Sequence, residues 1–311
     1  MNDSAQYRGV WPVMLTPFDE QREIDWESLK KLIDWYIEAG VNGLFANCQS
    51  SEMFFLSNAE SVQLTRFVVD YVAGRVPVVA SGHTACGFSQ QVDQLGEMAE
   101  TGVDSVILIS NRLAMAGESD AVVLENLQKL TAAITAKVGL GIYECPHPYK
   151  RLLSDEVVAW CAQSGRYTFI KDTCCQIERI RRRVELIEGS RLHIANANGQ
   201  TLLASLQAGA HGYSGVMANF HPELYVWLCD NWQREPGKAA VLSDYLATAA
   251  LAEQLDYPIC AKDYQLALGN FKTVASRTRE ADNYYAAHFP TTMQQMMRLG
   301  ETLKTQLGIL D

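Results

Sequence analysis

Gly139-Leu-Gly-Ile-Tyr143, then Ser154-Asp-Glu-Val-Val-Ala-Trp-Cys-Ala-Gln-Ser164, then Tyr167-Thr-Phe-Ile-Lys171 form one unit of sequence. Its two outer runs are short and almost continuously apolar, as in strands covered on both faces. The middle run starts on a serine followed by two acids, the signature of a helix N-cap with a negative first turn. Strand, helix, strand in that order joins two parallel strands through a crossover. The same alternation extends in both directions. Strands are expected at 9–15, 43–47, 77–81, 105–110, 139–143, 167–171, 192–195 and 212–215. Helices are expected at 25–39, 59–72, 89–101, 121–135, 154–164 and 177–188, with Asp25 and Ser154 as N-caps. Eight strand–helix units fit an α/β fold of the (β/α)8 TIM barrel type and exceed the five or six strands of a doubly wound sheet. The barrel is assigned to residues 1–232, and 233–311 to a C-terminal helical extension packed on it, with helical stretches at 238–255 and 291–307. Met293, Met296 and Met297 recur at helical spacing and are expected to pack one face of the last helix.

Composition narrows the function classes. Of 311 residues, 48% are apolar and 20% charged, which suits a globular chain and excludes a disordered one. Lys and Arg number 26 against 36 Asp and Glu, a net charge of −10. Such a chain lacks the cationic surface that nucleic-acid phosphates or anionic membranes require. No apolar run approaches the ~20 residues that span a bilayer, and Met1-Asn-Asp-Ser-Ala-Gln6 has neither the basic nor the apolar region of a signal peptide. The eight cysteines are scattered without a C-x-x-C spacing. They read as reduced, mostly buried thiols, and the expected location is the cytoplasm.

In a barrel, catalytic groups stand at the carboxyl ends of the strands. There the chain carries Gln49-Ser50-Ser51-Glu52, Ser110-Asn111-Arg112, Tyr143-Glu144-Cys145-Pro146, Lys171-Asp172-Thr173 and Ser214-Gly215. Lys171 is the outlier, an amine at the end of an apolar strand. Buried, its neutral form is favoured and becomes a nucleophile toward carbonyl carbon; alternatively it snorkels to solvent or pairs with Asp172. Tyr143 ends the neighbouring strand and either transfers protons or caps the core. Ser50 and Ser51 offer hydroxyls and N–H groups to a carboxylate, or are ordinary turn residues. Gly139-x-Gly141 is no phosphate loop, and Gly212-Tyr-Ser-Gly215 is no serine-hydrolase elbow. The histidines lack metal-ligand spacing and read as structural, so neither a metal nor another cofactor is expected.

Together these positions resemble the dihydrodipicolinate synthase and N-acetylneuraminate lyase family of class I aldolases. The likeness starts at Gly9-Val-Trp-Pro-Val-Met-Leu-Thr-Pro-Phe18 and runs through Gly40-Val-Asn-Gly-Leu44, Pro77-Val-Val-Ala-Ser-Gly82 and Gly102-Val-Asp-Ser-Val106. It continues through Tyr143-x-x-Pro146, Phe169-Ile-Lys-Asp172, Gly209-Ala-His-Gly212 and Met217-Ala-Asn219 to Pro258-Ile-Cys-Ala-Lys262. Its most specific part is the Tyr-x-x-Pro followed by a strand-six lysine. The resemblance implies that Lys171 forms a Schiff base with pyruvate or a related 2-oxo acid and that Tyr143 moves protons. It also implies that the loop at Ser50, with Gln49 and Ser51, holds the substrate carboxylate, that Ser214 lies at the same site, and that the chain assembles as a homotetramer.

The departures from that family are specific. Gln49 replaces a hydroxyl residue, and Asn111-Arg112 replaces a tyrosine pair. Pro148 stands where dihydrodipicolinate synthases carry the arginine for their second substrate, which argues against that activity. Arg112 becomes a candidate group for an anionic acceptor, because a guanidinium holds carboxylate or phosphate in two-point contact. The expected function is a Schiff-base lyase that makes or cleaves a C–C bond next to a 2-oxo acid, with an aldehyde as second partner. Dehydration of a sugar-derived 2-oxo acid through the same imine, or a paralogue that binds without turnover, are the alternatives.

Overall fold

A computed structural model describes residues 6–280 and 286–308. Its strands are β1 (Gly9–Val10), β2 (Leu44–Phe45), β3 (Val78–Ala80), β4 (Ser105–Ile109), β5 (Gly139–Tyr143), β6 (Tyr167–Asp172), β7 (His193–Asn196) and β8 (Gly212–Tyr213). All pair in parallel, in the order β1-β8-β7-β6-β5-β4-β3-β2. The ring closes between the two outer strands. Val13 bridges Phe45 in parallel, the Phe45 N–H donates to the Pro12 carbonyl at 3.0 Å, and the Met14 N–H donates to Phe45 at 3.0 Å. The eight expected strands are present and form a (β/α)8 barrel. The first, expected over 9–15, is regular only at Gly9–Val10, because Pro12 has no N–H to give to the ladder.

Around the barrel run α1 (Trp26–Glu38), α2 (Asn58–Val72), α3 (Phe88–Ala99), α4 (Asp120–Ala133), α5 (Asp155–Ser164), α6 (Ile177–Leu186), α7 (Leu202–Gln207) and α8 (Pro222–Asn231). Asp25 caps α1, its carboxylate accepting the N–H groups of Glu27 and Ser28, and Ser154 caps α5 through the Val157 N–H. In the sequence the seventh and eighth helices of the expected strand–helix units have no bounds of their own; they are α7, of six residues, and α8, of ten.

After the barrel come α9 (Pro236–Ala249), α10 (Ile259–Ala267) and the C-terminal helix Phe289–Leu307. The stretch expected as one helix over 238–255 is divided. From Ala250 to Gln254 the chain tightens into a 3-10 turn. Met293 is buried, and Met296 and Met297 pack partly buried against the same core.

Strand alternation sorts the side chains into two layers. Outward residues such as Val106, Leu108, Ile142 and Ile170 meet the helices. Inward residues fill the barrel: Trp11, Val13, Phe45, Val79, Ile107, Phe169 and Ala195. Tyr7 plugs the end opposite the strand carboxyl termini, stacked 5.5 Å from Trp11, with its hydroxyl 2.9 Å from Ser105 Oγ. Phe45 and Phe169 are fully buried, each contributing about 1.5–3 kcal/mol relative to exposure. This oily plug is the floor on which Lys171 stands.

Candidate active site

On β6, Phe169 and Lys171 share the inward face, and Asp172 points outward to the helices. Register places Lys171 directly beside Tyr143 of β5. The ammonium nitrogen is 4.3 Å from the Tyr143 ring centroid and 5.9 Å from that of Phe45. Lys171 is 3% exposed and has no hydrogen bond or ion pair among the described residues. Burial pulls its pKa down from the usual lysine value to about 8, against the opposing pull of Cys48, Cys145 and Glu253. Asp172, the expected alternative partner, is engaged elsewhere. The buried guanidinium of Arg183 on α6 bonds Asp172 and also Glu144, the latter at 2.5 Å. The Thr173 and Leu153 N–H groups complete Glu144 at 2.8 Å each. Lys171 is thereby left without a counter-charge, while the strand end that carries it is tied to its neighbours.

Tyr143, whose ring the amine touches, also lines a cleft of about 610 Å³ together with Gln49, Ser50, His147, Val216 and Tyr257. The Tyr143 hydroxyl donates to Gln49 Oε1 at 3.3 Å, and Cys145 Sγ approaches the same oxygen at 3.4 Å. Burial raises the Tyr143 phenol well above its ordinary pKa, which favours the protonated form. Gln49–Ser51 forms a 3-10 turn. Gln49 and Ser50 line the cleft, and their backbone N–H groups have no acceptor among the described residues. Ser214, just beyond β8, is fully buried with its hydroxyl unpartnered.

Residues 6–248 match the model of the dihydrodipicolinate synthetase family. The chain belongs to that family. The 4-hydroxy-tetrahydrodipicolinate synthase of Teredinibacter turnerae is 26% identical over 226 residues, 72% of this chain and 75% of that protein. Escherichia coli YagE, to which a 2-dehydro-3-deoxy-D-gluconate aldolase activity is provisionally assigned, is 27% identical over 263 residues, 83% of this chain and 85% of that one. Among solved structures, YagE in complex with pyruvate superposes with a TM-score of 0.83 at 22% identity, covering 96% of this chain and 99% of that one. A dihydrodipicolinate synthase of Bacillus anthracis gives 0.84 at 20% identity, covering 94% and 98%. The family's synthases and aldolases are lyases, and this chain is a lyase of the Schiff-base aldolase type.

Three expected substrate-binding residues, Ser51, Arg112 and Ser214, are not among those that line this cleft. The Ser51 hydroxyl lies between the carbonyls of Met14 at 2.7 Å and Ala46 at 2.8 Å and accepts the Cys48 N–H at 3.1 Å. It holds the loop together and has no capacity left for a ligand. Arg112 sits over the Phe54 ring, 5.6 Å from its centroid, and lines a different hollow of about 320 Å³ together with Pro148. Its neighbour Asn111 is structural, its amide nitrogen 2.8 Å from the carbonyls of Cys145, His147 and Tyr149.

Other site residues escaped the sequence reading. Tyr257 adds a second phenol beside Ser50; its hydroxyl accepts from Asn219 at 3.1 Å, and burial raises its pKa against the effect of Ser50. Glu253 reaches the cleft from the 3-10 turn after α9. Arg183 had one available signal, its position three residues after the buried Ile180 on the inner face of α6.

Proposed function

We propose that the protein joins a pyruvate-type 2-oxo acid to an aldehyde, or cleaves the product, through an imine on Lys171. The observation that carries this reading is the buried amine, without a counter-charge among the described residues, against the ring of Tyr143, which itself lines an open cleft. Neutral Nζ attacks the keto carbon, the carbinolamine loses water, and an iminium forms. The Tyr143 hydroxyl gives the departing water its proton, and the tyrosinate so formed takes the C3 proton to give the enamine, whose C3 attacks the aldehyde carbon to make the new C–C bond. The alkoxide produced takes its proton from the Tyr143 hydroxyl, and water hydrolyses the imine to free the amine. Cleavage is the reverse sequence. The free N–H groups of Gln49 and Ser50, with the Ser50 hydroxyl, hold the substrate carboxylate, and Ser214 offers its unpartnered hydroxyl to the same ligand. Pro148 offers no cation in place of the arginine of dihydrodipicolinate synthases, which favours aldol chemistry with another acceptor. Assembly as a cytoplasmic homotetramer belongs to the same proposal, on the family resemblance.

Borohydride added with pyruvate is expected to fix a three-carbon adduct on Lys171, read as a mass increase on its tryptic peptide. Lys171→Met should give none. Tyr143→Phe should still be labelled but turn over about 10²–10⁴ times more slowly, the usual scale of lost general acid–base catalysis. An unmodified wild-type lysine would overturn the reading.

A further inference from the structure

The cleft lined by Tyr143 extends beyond Gln49 and Ser50, the residues proposed to hold pyruvate. Its lining also includes His147, Glu253, Gln254, Thr278 and Arg279, the space a second substrate must fill. The charges there are unequally matched. Glu52 is saturated by Lys262 at 2.5 Å and by Ser276, Arg277 and Thr278 at 2.6–2.9 Å. Arg279 is bonded to Asp256 at 3.2 Å. Glu253 alone among the cleft's carboxylates accepts no hydrogen bond and joins no ion pair among the described residues. It is half-buried; burial raises its pKa, and the opposing charge it senses is Lys171. An ionised carboxylate offers only acceptor oxygens, so a ligand that satisfies it must bring O–H or N–H donors. It also repels an anion brought into the same partly desolvated space.

We propose that Glu253 is the acceptor-recognition residue, its carboxylate taking hydrogen bonds from the hydroxyls of a neutral hydroxyaldehyde and excluding aldehydes that carry a phosphate or carboxylate. This inference rests on the Schiff-base reading above. It reverses the acceptor charge suggested by Arg112, which within this chain lines a different hollow and not this cleft. Gln254 and Thr278 supply uncharged donors and acceptors suited to the same hydroxylated chain.

Aldol addition of pyruvate to D-glyceraldehyde is to be compared with addition to D-glyceraldehyde 3-phosphate, which differs by one anionic group. Wild-type protein is expected to favour glyceraldehyde in kcat/KM. Glu253→Gln should move the ratio toward the phosphate ester by about tenfold or more, the scale of one charge-assisted hydrogen bond. A ratio unmoved in a folded variant overturns the inference. So does a wild-type preference for the phosphate ester, which requires no variant. Wild-type protein that forms no borohydride adduct with pyruvate overturns the Schiff-base reading and this inference with it; an adduct without the acceptor preference overturns this inference alone.

Discussion

At pH 7 an amine with a pKa of about 8 is neutral in roughly one molecule in ten, against fewer than about one in a thousand for a free lysine. The environment that does this to Lys171 is apolar and aromatic, Phe45 and Tyr143, with Cys48, Cys145 and Glu253 as the ionisable groups that pull the other way. Adduct formation with pyruvate is therefore expected to accelerate as pH rises, with a midpoint near 8 and a plateau above it. Trapping rates across pH 6–11 check this, and a midpoint near the free-lysine value of about 10.4 would mean a solvated amine. The same shift bears on stability. Folded-state pKa lies below unfolded-state pKa, so between about 8 and about 10.5 the unfolded chain holds more protons, and this residue's contribution to stability rises with pH through that window. Lys171 and Tyr143 were legible in the sequence because each ends an apolar run, and a strand end in a barrel is a known place. Glu253 was not, since nothing local distinguishes one acid in Ala250–Gln254 from any surface glutamate.

Among the elements, the seam between β1 and β8 is the most tightly specified. Gly9 and Gly212 are register partners, and a Cβ on Gly212 would lie 1.9 Å from the Gly9 carbonyl oxygen. Backbone meets backbone there, so no side chain can move aside. Gly212→Ala is expected to cost about 3 kcal/mol, the upper range for overpacking, read as a lowered denaturant midpoint. Gly237 in α9 is the control: a Cβ there meets nothing within 4 Å, and Gly237→Ala should be neutral or stabilising by about 0.4–1 kcal/mol. Strands and the long helices were legible because period-2 and 3.6-residue patterns are local. The division of 238–255 was not, because α9 ends where its turn must pass over the barrel mouth, a constraint set by the barrel and not by its own residues.

Over the whole molecule, Lys262 of α10 ties the extension to the loop after β2. Its ammonium meets Glu52 at 2.5 Å with both groups fully buried, and Glu52 also binds the Ser276–Thr278 segment. We propose that residues 233–311 do not fold apart from the barrel but unfold with it in one transition. Lys262→Met should leave Glu52 buried and unpaired, cost about 3–5 kcal/mol, and weaken pyruvate binding through the adjoining Ser50 turn. Two separate thermal transitions in the wild-type protein would contradict this. The order of elements, the barrel, and the lysine and tyrosine at adjacent strand ends were determined by the chain's own periodicities, which act over a few residues. Which arginine is buried, that Ser51 holds its loop, that Arg112 lines a different hollow and that Glu253 enters the cleft were decided only in three dimensions. Pairing and burial depend on groups brought together from as far apart as Glu52 and Lys262, and no short-range pattern encodes the partner.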